Sequence, residues 1–169
     1  DYTPGGFRNV MPEDFAQNRA QPMVMGTRSR ELAKFVVYDS PIQMVCDAPG
    51  TYIGQPGVDF LALVPTTWEA TLPLQGKIGE YILMARRKGD NWYLGAMTGE
   101  EARTFSIPLD FLKVGQSYRY TQWSDDPEGP ATALIKTTGL CRGGPSETLK
   151  VRTTRGGGAV LLLERLEKK

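Results

Sequence analysis

The sequence predicts a mainly β chain: an antiparallel β-sandwich of about eight strands over residues 70–169, preceded by a segment, residues 1–69, that reads as βα units of a parallel sheet or barrel. Two observations carry this. From residue 70 onward apolar and polar residues alternate, as in Phe105, Ile107 and Leu109 against Thr104, Ser106 and Pro108. A period of two marks strands with one buried and one wet face. Before residue 70 a helical pattern runs into YDSPIQMVCD (38–47), where a helix stops and a short apolar run ends on a carboxylate. A helix returns in this way to one more strand of a parallel sheet, yet almost nothing precedes it for such a strand to pair with.

The elements follow in order. Thr3-Pro4-Gly5-Gly6 is a turn, and a polar loop continues to about Pro22. Thr27 is an N-cap, and Leu32, Phe35 and Val36 share one helical face. A helix is expected over 27–39, ended by Ser40-Pro41, because the residue before proline disfavours the α conformation. Ile42 to Cys46 then reads as a buried strand, Ala48-Pro49-Gly50 as a loop, and Val58 to Val64 as a short helix. Met23 and Met25 are expected to pack near the helix start. Eight strands follow at about 71–75, 79–87, 92–98, 102–109, 116–123, 132–138, 147–154 and 158–166, with Lys88-Gly89-Asp90-Asn91 as a hairpin turn. Arg86-Arg87-Lys88 reads as a solvated hairpin tip. Arg155-Gly156-Gly157-Gly158 lacks the Lys-Ser/Thr and the following helix of a phosphate cradle, so it reads as a flexible turn.

Composition excludes several functions. Of 169 residues, 40% are hydrophobic, enough for a packed core. No apolar run approaches the ~20 residues that span a bilayer. The net charge of +1 conceals five basic against eight acidic residues over 1–69, and fifteen against eleven thereafter. The basic excess is scattered and forms no phosphate-tracking stripe, which argues against nucleic acid. With no histidine, Ser–His–Asp and Cys–His nucleophile systems are excluded within this chain. Cys46 and Cys141, far apart and without CxxC spacing, argue against zinc and read as two free thiols.

Five segments together carry a family resemblance: DYTPGGF (1–7), YDSPIQMVCDAP (38–49), PTTWEAT (65–71), GKIGEYILMARRKGDNWYLGAMTG (76–99) and RGGGAVLLLERL (155–166). In this order they resemble the C-terminal part of glycoside hydrolase family 97, the α-glucosidase/α-galactosidase type, with 76–99 the most specific piece. The resemblance implies that residues 1–69 are the last βα elements of a catalytic (β/α)₈ barrel, with Ile42–Cys46 its final strand, and that 70–169 is the C-terminal β-sandwich. It further implies a parent enzyme that hydrolyses α-glucosidic or α-galactosidic bonds with two carboxyl groups and a calcium ion held by oxygen ligands. By the family's motif order those groups lie upstream of this chain, so no catalytic or metal-binding residue is expected here and the chain alone is expected to be inert. The implied partners are the parent's oligosaccharide substrate, the upstream barrel and N-terminal β-domain, and other copies of the protein. No nucleic-acid or membrane partner is expected, and the implied address is periplasmic or secreted.

Asp47 is the one substrate-site candidate, because residues at the C-terminal ends of barrel strands line the pocket. The competing reading is that it caps the turn Ala48-Pro49-Gly50. Asp1 and Tyr2 stand at a similar loop position. A different function, a non-catalytic carbohydrate-binding module, would need Trp68, Trp92, Trp123, Tyr81, Tyr93, Tyr118 and Tyr120 to form an exposed stacking platform. Aromatics on alternating strand positions are more often core. A purely structural role for residues 70–169, buttressing the barrel or a subunit interface, is the third reading.

Overall fold

The structure, a computed structural model, describes residues 3–167. Strands β1 (Asn9–Val10) and β2 (Val24–Met25) pair in parallel, and helix α1 (Arg28–Val37) and the single-turn α2 (Val58–Leu61) follow. All eight sandwich strands then form: β3 (Ala70–Lys77), β4 (Tyr81–Lys88), β5 (Asn91–Thr98), β6 (Arg103–Leu109), β7 (Ser117–Asp125), β8 (Leu134–Arg142), β9 (Gly144–Thr153) and β10 (Gly158–Arg165).

The two sheets are unequal. Six strands in the order β3-β4-β5-β10-β7-β8 form one antiparallel sheet, and β6 pairs only with β9. The chain passes from one sheet to the other between β8 and β9, where Gly144 takes φ +144°. The hairpin β4–β5 turns through Gly89-Asp90 with Lys88 opposite Asn91, as the turn chemistry predicts.

The centre of the six-stranded sheet is buried on both faces, which explains the unbroken apolar run of β10. Its Ala159, Leu161 and Leu163 face β6 and β9 and join Leu83, Leu94, Phe105, Ile107 and Val151 in one core. Its Val160 and Leu162 face the other way and meet Leu32, Ala33 and Val36 of α1, together with Phe7, Tyr52, Phe60, Tyr93 and Trp123. The molecule therefore has three layers: the N-terminal segment with α1, the large sheet, and the small sheet. Each fully buried large apolar side chain of α1 contributes about 1.5–3 kcal/mol, so the helix is held by the sheet more than by its own propensity.

Close approach of α1 requires glycine beneath it. A Cβ on Gly95 of β5 would lie 2.9 Å from the Val36 Cβ and 3.0 Å from the Ala33 carbonyl oxygen, and one on Gly158 of β10 would lie 2.7 Å from the Arg30 Cα. The helix ends are also fixed by the sheet side. Thr27 caps the N-terminus by accepting from the Arg30 amide at 3.2 Å. Arg86 of β4 donates to the Val37 carbonyl at 3.3 Å, pairs with Asp39 at 3.1 Å, and lies over the Trp68 ring.

Several expectations are corrected. Ile42–Cys46 is not a strand; Gln43 alone makes an isolated bridge, and Ile42, Met44 and Val45 are exposed. A ladder needs a neighbour to take its amides and carbonyls, and the described residues offer this segment none. Arg86 is buried at 3% exposure and is no solvated tip; its role at the helix end requires α1, whose Val37 lies 49 residues away in sequence. Met25 is exposed rather than packed. The second helix is shorter than expected, closing at Leu61.

Because even a Cβ at position 95 would crowd the Val36 side chain and the Ala33 carbonyl, the larger Gly95→Val is expected to lower the unfolding free energy by about 1–3 kcal/mol. Urea unfolding reads this, with Gly76→Ala as the exposed control, expected within about 0.5 kcal/mol of the parent sequence.

Candidate functional site

Asp47, the predicted site residue, lies in a polar network beneath the loop formed by residues 3–9. Its Oδ2 accepts the Phe7 amide at 2.7 Å, and its own amide donates to the Tyr52 hydroxyl at 2.9 Å. That hydroxyl donates in turn to the Gly5 carbonyl at 2.9 Å. The Gly5 amide donates to Glu31 Oε2 at 3.1 Å, and Lys34 pairs with the same carboxylate. Asp47 thus grips the 3–9 loop across 40 residues, a wider role than capping its own turn. Asp1 and Tyr2 lie outside the described residues.

Arg28 closes the network from the other side. It is 1% exposed, donates to the Phe7 carbonyl at 2.6 Å and to Asn9 Oδ1 at 2.7 Å, and stacks on the Phe7 ring with 4.0 Å to the centroid. Asn9 donates back to the Gly6 carbonyl at 2.9 Å. Burial pulls the guanidinium pKa down to about 10, while the neighbouring Asp47 carboxylate acts in the opposite direction. Burial likewise pushes the Tyr52 phenol up to about 12. The hydroxyl therefore keeps its proton and its donor role at neutral pH. Sequence reasoning singled out Asp47 but not Arg28, Glu31 or Tyr52, whose partners in the 3–9 loop lie 19 to 47 residues distant.

A second buried carboxylate, Asp125, orders the glycine turn that joins β9 to β10. Its Oδ2 accepts from the Thr154 amide at 2.8 Å, the Thr154 hydroxyl at 3.1 Å and the Gly158 amide at 3.0 Å. A Cβ on Gly157 would fall 1.9 Å from that oxygen. The turn also donates to Gly99 through the Gly156 amide and accepts from Thr27 and Thr98. It is a fixed junction between α1, β5 and β7, and the expectation of a flexible turn is corrected. Burial raises the Asp125 pKa above its ordinary value, with the Thr27 and Thr154 hydroxyls and the Thr154 and Gly158 amides acting the other way.

The aromatic platform is not displayed. Trp92, Trp123, Tyr93 and Tyr118 are buried, and Trp68 and Tyr81 meet Tyr93 and Phe105 edge to face. Trp123 donates through Nε1 to the Asp59 carboxylate of α2. Cys46 and Cys141 are free thiols. Among the described residues no three acidic or thiol side chains converge as a metal-binding group would.

A family model described as "Glycosyl-hydrolase 97 C-terminal, oligomerisation" matches residues 67–164. The "Retaining alpha-galactosidase" of Bacteroides thetaiotaomicron is 38% identical over 168 residues, which are 97% of this chain and 25% of that protein. The "Probable retaining alpha-galactosidase" of Streptomyces bingchenggensis is 30% identical over 160 residues, 94% of this chain and 22% of the relative. Among solved structures, a glycoside hydrolase family 97 enzyme from Pseudoalteromonas sp. strain K8 in complex with acarbose superposes with a TM-score of 0.78 at 34% identity, covering 84% of this chain and 23% of that one. A beta-arabinopyranosidase gives 0.69 at 27% identity over 86% of this chain and 23% of its own. The chain spans about a quarter of the length of these relatives.

Two outcomes follow from the site. Tyr52→Phe removes both an acceptor and a donor inside the network, and is expected to cost about 1–3 kcal/mol in urea unfolding. Asp125 binds its proton more tightly folded than unfolded, so its contribution to stability falls as pH rises through the ordinary carboxylate value near 3.8 and on to the raised folded value. In Asp125→Asn that loss is absent. Thermal melts at stepped pH should show the variant gaining on the parent sequence across this window, and then a constant difference.

Proposed function

The chain belongs to glycoside hydrolase family 97, and we propose that it is the C-terminal part of a retaining α-galactosidase in which it completes the catalytic barrel and buttresses it. The identity of 38% across 97% of the chain to a retaining α-galactosidase carries this reading. Two features of the first third support it. The parallel pair β1–β2 leading into α1 has the sense of a βα barrel unit. Ile42, Met44, Val45, Ile53 and Leu63 of the same third are each exposed, large apolar side chains of the kind that a neighbouring element covers. In this reading the rest of the barrel is that element.

The chemistry then belongs to carboxyl groups upstream: one protonates the leaving oxygen and the other, about 5–5.5 Å away in a retaining enzyme, forms the glycosyl intermediate. Calcium, in the same reading, is held by upstream carboxylates. The contribution of this chain is positional. The 3–9 loop approaches the sugar site, and Asp47 serves that site by fixing the loop through the Phe7 amide. The sandwich, in keeping with the family model's description, also brings copies of the protein together. The periplasmic or secreted address comes from the resemblance alone.

The parent protein is expected to cleave an aryl α-galactoside faster than the α-glucoside and to release the α-anomer first, read by proton NMR, while residues 1–169 alone release nothing. Preferential cleavage of the glucoside, or first release of the β-anomer, would overturn the galactosidase reading. In the parent, Asp47→Ala is expected to lower kcat/KM by about tenfold, and Asp47→Asn, which keeps an acceptor for the Phe7 amide, by less than about threefold.

A further inference from the structure

The described sheets have four open edges: β3 and β8 flank the six-stranded sheet, and β6 and β9 pair only with each other. An open edge presents unpaired amides and carbonyls to any extended chain, and folded proteins blunt such edges with proline, bulges or charge. Three of the four are blunted. Strand β3 carries Pro73 and a bulge between Pro73 and Gln75. Strand β6 carries Pro108 with a register shift beside it, and β9 displays Glu147, Lys150 and Arg152 along its exposed side.

Strand β8, LIKTTGLCR, has none of these devices. It pairs with β7 in unbroken register from Asp125–Leu134 to Ser117–Arg142, with neither proline nor bulge. Its one mid-strand charge, Lys136, is drawn back onto the fold, where it pairs with Asp59 and lies over the Trp123 ring at 5.1 Å. Ile135 and Leu140 are exposed at 45% and 71%, and Thr137 and Thr138 between them are exposed too.

We propose that β8 pairs antiparallel with β8 of a second copy of this chain, joining two six-stranded sheets across a twofold axis. The choice of a second copy rests on the family reading, since the matched region that contains β8 is described as serving oligomerisation. Self-complementarity argues for it independently. Only antiparallel pairing lets one segment meet itself across a twofold axis. An axis through Thr137 sets Lys136 opposite Thr138 and Leu134 opposite Leu140; one through Thr138 sets Lys136 opposite Leu140 and Ile135 opposite Cys141. Neither register opposes two cations, and both bring β-branched or apolar side chains into the cross-strand pairs that stabilise sheets.

Sedimentation velocity of the full chain tests this. The wild-type chain is expected to dimerise, and the double variant Thr137→Lys/Thr138→Lys, which opposes like charges in either register, to weaken the dimer by more than about tenfold. Met44→Lys, at an exposed apolar position of the first third, is expected to leave the dimer unchanged. Should the lysine variant lose its fold, cysteine cross-linking decides instead. In a Cys46→Ser background, Thr138→Cys is expected to give a disulfide-linked dimer on oxidation, and Thr71→Cys on β3 is not. A wild-type monomer, a dimer indifferent to the lysines, a dimer lost only with Met44→Lys, or equal cross-linking at Thr71 and Thr138 would overturn the proposal. None of these outcomes bears on the galactosidase reading, which stands or falls on hydrolysis by the parent.

Discussion

The contact between α1 and the six-stranded sheet is the constraint on which the rest of this structure depends. A sheet with one wet face would leave Val160, Leu162, Tyr93 and Trp123 in water; α1 and the segments around it cover them. That coverage demands a backbone separation that only glycine at 95 and 158 allows. Burial and shape thus act together: the apolar area supplies the free energy, and the missing side chains allow it to be realised. The first third of the chain owes its placement to the sandwich, and the sandwich owes the dryness of its outer face to the first third.

Polar groups then convert this packing into a fixed geometry. Arg28, Glu31 and Asn9 hang the 3–9 loop from the helix, while Asp47 and Tyr52 hold it from the opposite side. Asp125 fastens the helix's N-terminal neighbourhood to the start of β10. Buried polar groups cost free energy unless they are paired, so such a network permits few alternative arrangements of the loop. Displacement of a positioning group by about 1 Å can cost an enzyme about a hundredfold in rate, and this network holds the loop against such a displacement.

The strands were legible because their signal is local: alternation in β6, β7 and β9, short apolar runs in β4 and β5, and turn residues such as Gly89-Asp90 between them. Helix α1 was legible for the same reason, with Thr27 and Pro41 marking its limits. What the sequence hid was non-local. Arg86 looked like one more surface cation beside Arg87 and Lys88 until α1 was placed over it. The glycines at 156–158 looked loose until Asp125, some thirty residues earlier, was found among their amides. Ile42 to Cys46 has the composition of a strand, but a strand requires a ladder, and composition carries no record of a neighbour. Asp47 was singled out as a pocket residue from its place after that run; its grip on Phe7 could not be read from spacing.

Native-state hydrogen exchange tests the central claim most directly. If the helix and the sheet form one cooperative unit, the amides of α1 should open only with those of β5 and β10, at the same free energy and with the same dependence on denaturant. Exchange of α1 at a free energy several kcal/mol lower, with β5 and β10 still protected, would show that the first third is merely draped over an independent sandwich and would contradict the account.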